Sequence, residues 1–185
     1  QGKNKDNSKI KGKYYDIDLM IPLHEEAGDK TTLFHVYLCS MFHSYMFNRF
    51  SKSLEYSIKA KSVIEGGSSV YGLVSYYFYD SLTKISLMKI SNTNIYLKDI
   101  KNNLKKLEKW SKYSSANCYH KFCLIKAELQ SIQNNPLTAM NLYETAVREA
   151  RKSQFLQEEA LALELAGVFY LNIDYRDHAK NYILL

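Results

Sequence analysis

The stretch ANCYHKFCLIKAELQSIQNNPLTAMNLYETAVREARKSQFLQEEALALELAGVFY, Ala116 to Tyr170, decides the fold. It reads as three helices separated by polar breaks at Asn134-Asn135-Pro136 and Lys152-Ser153-Gln154. Ala139, Met140, Tyr143, Ala146, Val147 and Ala150 recur at steps of one, three and four, as one buried helical face requires. Asn135 suits an N-cap, and Pro136 suits the first helical position, where no N–H is needed. In the third segment, Leu161, Leu165 and Val168 mark one apolar face, and Ala160, Leu163, Gly167 and Tyr170 mark another. A helix apolar on two sides predicts a place between neighbours in a stack of helix pairs.

Working outward, the same pattern continues. Asp29 can cap a helix over Thr31–Phe47, Asn48-Arg49 breaks it, and a second helix runs from Phe50 to Ile64. Gly66-Gly67 stops that helix, and Ser68 or Ser69 caps the next. Val70–Met88 is rich in tyrosine, which also favours strands, but its neighbours predict helix. Ile95–Lys112 places Leu97, Ile100, Leu104 and Leu107 opposite a stripe of Lys98, Lys101, Lys105, Lys109 and Lys112. Before all of these, 14–26 predicts a short helix, weakened in its second half by Pro22.

The segments group as helix hairpins over about 31–65, 68–112, 116–152 and 155–185. Aligning second helices at Ser53, Ala139 and Ala179 gives steps of 86 and 40, with a member expected near Tyr96. A spacing of about 40 residues belongs to tetratricopeptide-like and related arrays. The expected fold is therefore all-α, a tetratricopeptide-like α-solenoid of about four antiparallel helix pairs over 14–185, following a basic flexible tail at 1–13.

Hydrophobic residues make up 46% and charged residues 24%, the balance of a soluble globular chain. No apolar run reaches the length of a transmembrane helix, and no signal peptide is legible. The net charge of +6 is concentrated in 1–13, where five lysines face one aspartate. That composition reads as a linker rather than as a nucleic-acid site in the body. Three cysteines and no leader suggest reduced thiols and a cytoplasmic location. The terminal Tyr182-Ile183-Leu184-Leu185 in helical register suggests a segment of a larger chain, with apolar surface open to self-association.

Three strings are more specific. They are Phe78-Tyr79-Asp80-Ser81-Leu82; His120-Lys121-Phe122 with Leu124 and Ala127-Glu128; and Gln157-Glu158-Glu159-Ala160-Leu161-Ala162 with Glu164-Leu165-Ala166 and Phe169-Tyr170. With Thr32-Leu33-Phe34 and Tyr37-Leu38, they resemble the helical region of large cyanobacterial-type hybrid signalling proteins over roughly 14–185. In that family a Ser/Thr kinase-like domain and a STAND/AAA-type ATPase precede the array, and GAF and histidine-kinase modules follow it. The resemblance implies a regulatory, protein-binding module between nucleotide switch and output kinase, possessing no catalysis of its own. Neither a phosphate-binding Gly-x-x-x-x-Gly-Lys-Ser/Thr loop nor a His-Arg-Asp loop is present.

The candidate binding residues are Tyr76, Asp80, Tyr119, His120, Glu128, Glu159 and Glu164, all on first helices of pairs. On the functional reading they line a concave groove for a peptide or partner helix. The simpler reading pairs the ionisable ones between helices, with Asp80 or Glu128 approaching His120. His35, Cys39 and His43 share one helix face, but one straight helix cannot wrap three ligands around an ion, so no metal or other cofactor is expected. Cys118-x-His120-x-x-Cys123 matches no standard zinc spacing and reads as core thiols. Nothing supplies a nucleophile, base and orienting group, so no enzyme activity is expected. The second function considered is a small-molecule inducer sensor of a STAND-type regulator, with a pocket lined by the tyrosines of 71–79.

Overall fold

The computed structural model describes residues 10–12, 14–67 and 70–183, and the side chains of these except Val70 and Ile183. The expected caps Ser68 and Ser69, most of the lysine-rich 1–13 segment, and Leu184-Leu185 lie outside the described residues. Among the described residues the protein is all-α, with one isolated bridge between Lys11 and Asp16. The α-helices are α1 (Ile17–Glu26), α2 (Lys30–Met46), α3 (Phe50–Ser62), α4 (Val70–Ser91), α5 (Leu97–Tyr113), α6 (Ser115–Ile132), α7 (Pro136–Lys152), α8 (Leu156–Asn172) and α9 (Arg176–Ile183). A 3-10 turn, Ile64–Gly66, follows α3. α2, α4, α6 and α8 begin at Lys30, Val70, Ser115 and Leu156, steps of 40, 45 and 41. The member expected near Tyr96 is α5, which has Tyr96 as its N-cap.

The repeat is written most plainly in the turns. Asn48, Asn92, Asn134, Gln154 and Asp174 all have φ between 48° and 61°, as does Gly28 at 62°. Each follows a helix end by one or two positions, in the left-handed conformation that closes a Schellman turn. At all six turns an N–H reaches the carbonyl five residues back: Asp29 to His24, Arg49 to Ser44, Thr93 to Met88, Asn135 to Gln130, Phe155 to Ala150 and Tyr175 to Tyr170, at 2.9 to 3.3 Å. Asn, Asp and Gly tolerate this conformation best, so the polar breaks mark where each helix stops. Asp29 caps α2 as expected, accepting from the Thr32 N–H at 3.0 Å. Asn135 stands at the α7 N-cap but makes no side-chain cap bond; its amide donates instead to Gln130 Oε1 at 3.1 Å.

The chain divides into two compact units, 1–93 and 94–185. The expected pair 68–112 has one member in each, so α4 and α5 are described with their own units. In the first unit, α2 and α3 form a hairpin, α4 packs on both, and α1 packs on α2. Phe34, Met41, Val74, Phe78 and Ile85 are among its buried side chains. Ser53 is buried on α3, donating to the Met41 carbonyl at 2.9 Å and sharing a 2.8 Å bond with Thr83 Oγ1.

In the second unit α5 packs on α6, α6 and α7 form a hairpin, α8 packs on α7 and α6, and α9 packs on α8. Ala139 and Ala179, the small residues aligned with Ser53, are both buried. α8 departs from the sequence expectation. Its buried residues are Leu161, Ala162, Ala166, Gly167, Phe169 and Tyr170, whereas Ala160 and Val168 are exposed. Each expected face is split, Leu161 buried but Val168 exposed on one, Gly167 and Tyr170 buried but Ala160 exposed on the other.

Candidate functional site

The seven candidate residues do not share one surface. Asp80, His120 and Glu128 are each only 2% exposed, and Tyr76 is equally buried. Ions taken out of water need compensation, and the partners are on hand. Asp80 accepts from the Ser57 hydroxyl on α3 and forms a 2.9 Å ion pair with Lys84 one turn along α4. The Tyr76 ring lies 6.2 Å from Phe34 within the same unit. In the second unit, the Tyr143 hydroxyl on α7 donates to Glu128 on α6.

His120 and Lys121 belong to a buried cluster between α6 and the start of α8. Lys121 is only 1% exposed; burial lowers its pKa, and the bond to Glu158 opposes that shift. Its ammonium lies 2.9 Å from Glu158 and 2.9 Å from His120 Nε2, and 4.3 Å from the Phe155 ring centroid. A lysine ammonium only donates, so His120 Nε2 is the acceptor and the imidazole is neutral. The proton falls to Nδ1, which has the Ala116 carbonyl one turn back as neighbour but no bond of normal geometry. Burial, and then the adjacent Lys121 cation, push the His120 pKa down to about 3. Glu158 stands in the first turn of α8, where the helix dipole also favours a carboxylate.

These assignments carry two expected outcomes. Tyr143→Phe removes a donor from a buried carboxylate and should cost about 2 kcal/mol, since bonds to charged groups contribute roughly 1.5–3 kcal/mol. Urea unfolding at neutral pH measures this. Separately, His120 makes stability fall in acid. Below the ordinary histidine pKa of 6.5 the unfolded chain binds a proton that the folded chain refuses until about pH 3. The contribution is therefore complete above pH 6.5 and shrinks as pH falls through that window. At pH 5 the loss should be about 2 kcal/mol, and His120→Gln should flatten that limb of the stability–pH curve.

Cys118 and Cys123, each 1% exposed, lie near this cluster, and burial raises both thiols, Cys123 to about 11. They remain protonated at neutral pH, which suits packing rather than nucleophilic attack. His35 Nδ1 lies 2.8 Å from the Thr31 carbonyl and donates to it. Among the described residues no three side chains gather as a metal site.

The remaining candidates reach the surface. Tyr119 is half-buried, its ring 6.4 Å from Phe122. Glu159 pairs with Arg151 on α7 at 2.7 Å, while Glu164 is exposed. Glu159 and Glu164 border a groove of about 550 Å³ along the open face of α8. Its apolar lining is Leu156, Ala160, Leu163 and Val168, with Tyr182 contributed by α9. Sequence reasoning assigned Ala160, Leu163 and Val168 to buried contacts and so missed this groove. Spacing predicts an apolar face but carries no record of whether a neighbour covers it.

The tyrosine-rich segment of α4 fills space instead of lining it. Tyr79 packs 4.9 Å from Phe42 and 5.8 Å from Tyr45, and Phe78 is fully buried. Among the described residues no helix is long and apolar enough to cross a membrane. No family model matches the chain, and no curated protein or solved structure matches it.

Proposed function

We propose that this chain is a non-catalytic protein-interaction and signal-transmitting helical repeat module of a multidomain signalling kinase/ATPase. The observation that carries the reading is the α8 groove, an apolar trough bordered by Glu159 and Glu164. Such a trough suits the apolar face of a partner helix, with cationic side chains of the partner meeting the carboxylates. The other ionisable candidates support it indirectly, because Asp80 and Glu128 bond to neighbouring helices and His120 is taken up by Lys121 beside it on α6. The packing of Tyr76, Phe78 and Tyr79 against other aromatic rings weighs against an inducer sensor at 71–79.

The resemblance of the strings at 78–82, 120–128 and 157–170 supplies the partner: a kinase or STAND-type ATPase module of the same protein. The test is calorimetric titration of this chain with those purified modules. Binding of one of them, abolished by Ala160→Arg in the trough, is the expected result. No heat with either module, together with a metabolite retained by the purified chain, would reverse the reading.

A further inference from the structure

The charges of the second unit are unevenly placed. Residues 97–132, α5 and α6, hold eight lysines against Asp99, Glu108 and Glu128, a net +5. Residues 133–183 hold five lysines and arginines against seven carboxylates, a net −2. Glu128 and Lys121 are both buried and paired, with Tyr143 and Glu158 respectively, so the surface balance of this end is also +5. Between α5 and α6 lies a groove of about 350 Å³ with Leu104, Phe122 and Leu129 as apolar lining and Lys101, Lys105 and Lys126 around them. Glu108 is the single carboxylate in that lining. A second depression of about 520 Å³ shares Lys101 and Lys105 and extends along α5 to Lys98. The seven-residue step from Lys98 to Lys105 covers about 10 Å of helix, the length of three extended peptide residues.

We propose that the α5–α6 groove docks an acidic peptide segment of a partner protein, with one apolar side chain of the peptide seated among Leu104, Phe122 and Leu129. Lysines on both walls set the charge of the occupant, and the apolar lining sets its amphipathic character. Nucleic acid fits less well. A single-strand reader offers open aromatic faces to its bases, whereas the Phe122 ring is stacked 6.4 Å from Tyr119 and carries the Lys126 ammonium 5.4 Å from its centroid. An anionic bilayer fits less well too, because a flat surface reaches the rim lysines without filling the apolar recess. This surface is distinct from the α8 groove, so the two readings stand or fall separately.

The experiment is fluorescence anisotropy on the full chain with a labelled peptide of aspartates and glutamates flanking one leucine. Parallel titrations use its Asn/Gln counterpart, a single-stranded RNA oligomer and phosphatidylserine vesicles. Saturable binding of the acidic peptide is expected, weakened about tenfold or more by combined Lys101→Glu, Lys105→Glu and Lys126→Glu. Replacing the peptide leucine by serine should weaken binding several-fold, and Lys152→Glu, on α7, should leave it unchanged. Circular dichroism checks helical content, and the corresponding Lys→Gln triple replaces the charge reversal if that variant does not fold. Affinity unaltered in the triple variant would move binding to the lysines of 1–13 and overturn the proposal. RNA or vesicles bound more tightly than the peptide, and released by the same variant, would also overturn it.

Discussion

Replacing Gly66 by alanine is expected to destabilise the first unit by about 3 kcal/mol or more, at the upper end of what overpacking costs. A Cβ built on Gly66 would stand 2.1 Å from the Lys30 carbonyl oxygen and 2.7 Å from the Thr31 nitrogen. Both atoms are backbone of the first turn of α2, so no side-chain rotation relieves the clash. The 3-10 turn after α3 must withdraw from α2, or the start of α2 must unwind. Gly67 gives the internal comparison. Its Cβ would meet the Phe34 ring at 2.8 Å, a side chain that can move, although Phe34 is itself fully buried. Gly67→Ala should therefore cost less than Gly66→Ala. Gly28 has φ +62° and open space around its Cβ position, so Gly28→Ala should cost about 1–2 kcal/mol through backbone strain alone. Urea unfolding of the three variants, followed by circular dichroism, should give that order, with Gly66→Ala most affected. Gly66→Ala within 1 kcal/mol of the parent would mean that α2 and the 3-10 turn are not held in this contact.

The sequence carried the helices and their period because both depend on local chemistry. Asn48, Asn134 and Asp174 are residues that accept a left-handed turn, and the apolar spacing between them fixes which face is buried. Even there, tertiary neighbours took over details. Asn135 marked the start of α7 correctly, but its side chain bonds to Gln130, a choice made by proximity across the turn. Polar residues were harder. Periodicity treats an acid or a lysine as outward-facing, so it cannot tell Asp80 and Glu128, both buried, from Glu164, which is exposed.

Lys121 was missed as a site residue for the same reason, although a signal was present. Cys118 precedes it by three positions, and Leu124 and Ile125 follow at three and four, all buried on α6. A lysine surrounded in this way on its own helix must find a carboxylate elsewhere; the sequence points to Asp80 or Glu128 near His120, whereas the structure supplies Glu158 from α8.

Lys121→Ala is accordingly expected to cost about 3–5 kcal/mol, the range for removing one partner from a buried ion pair. The substitution leaves Glu158 without its cation and His120 Nε2 without its donor, and it empties the space taken by the lysine stem. Lys121→Met keeps the stem volume and should lose less. Combining Lys121→Met with Glu158→Leu removes both charges together and should recover much of the loss, because well-packed apolar pairs often equal buried ion pairs. The imidazole reports on the same cluster independently. Two causes lower the His120 pKa, burial first and the Lys121 cation second. Removing the cation in Lys121→Met should raise that pKa from about 3, yet leave it below 6.5 because burial persists. An NMR titration of the His120 ring protons measures this directly. An unchanged titration, or a Lys121→Ala loss below about 1 kcal/mol, would show that α8 is held on α6 by its apolar contacts alone.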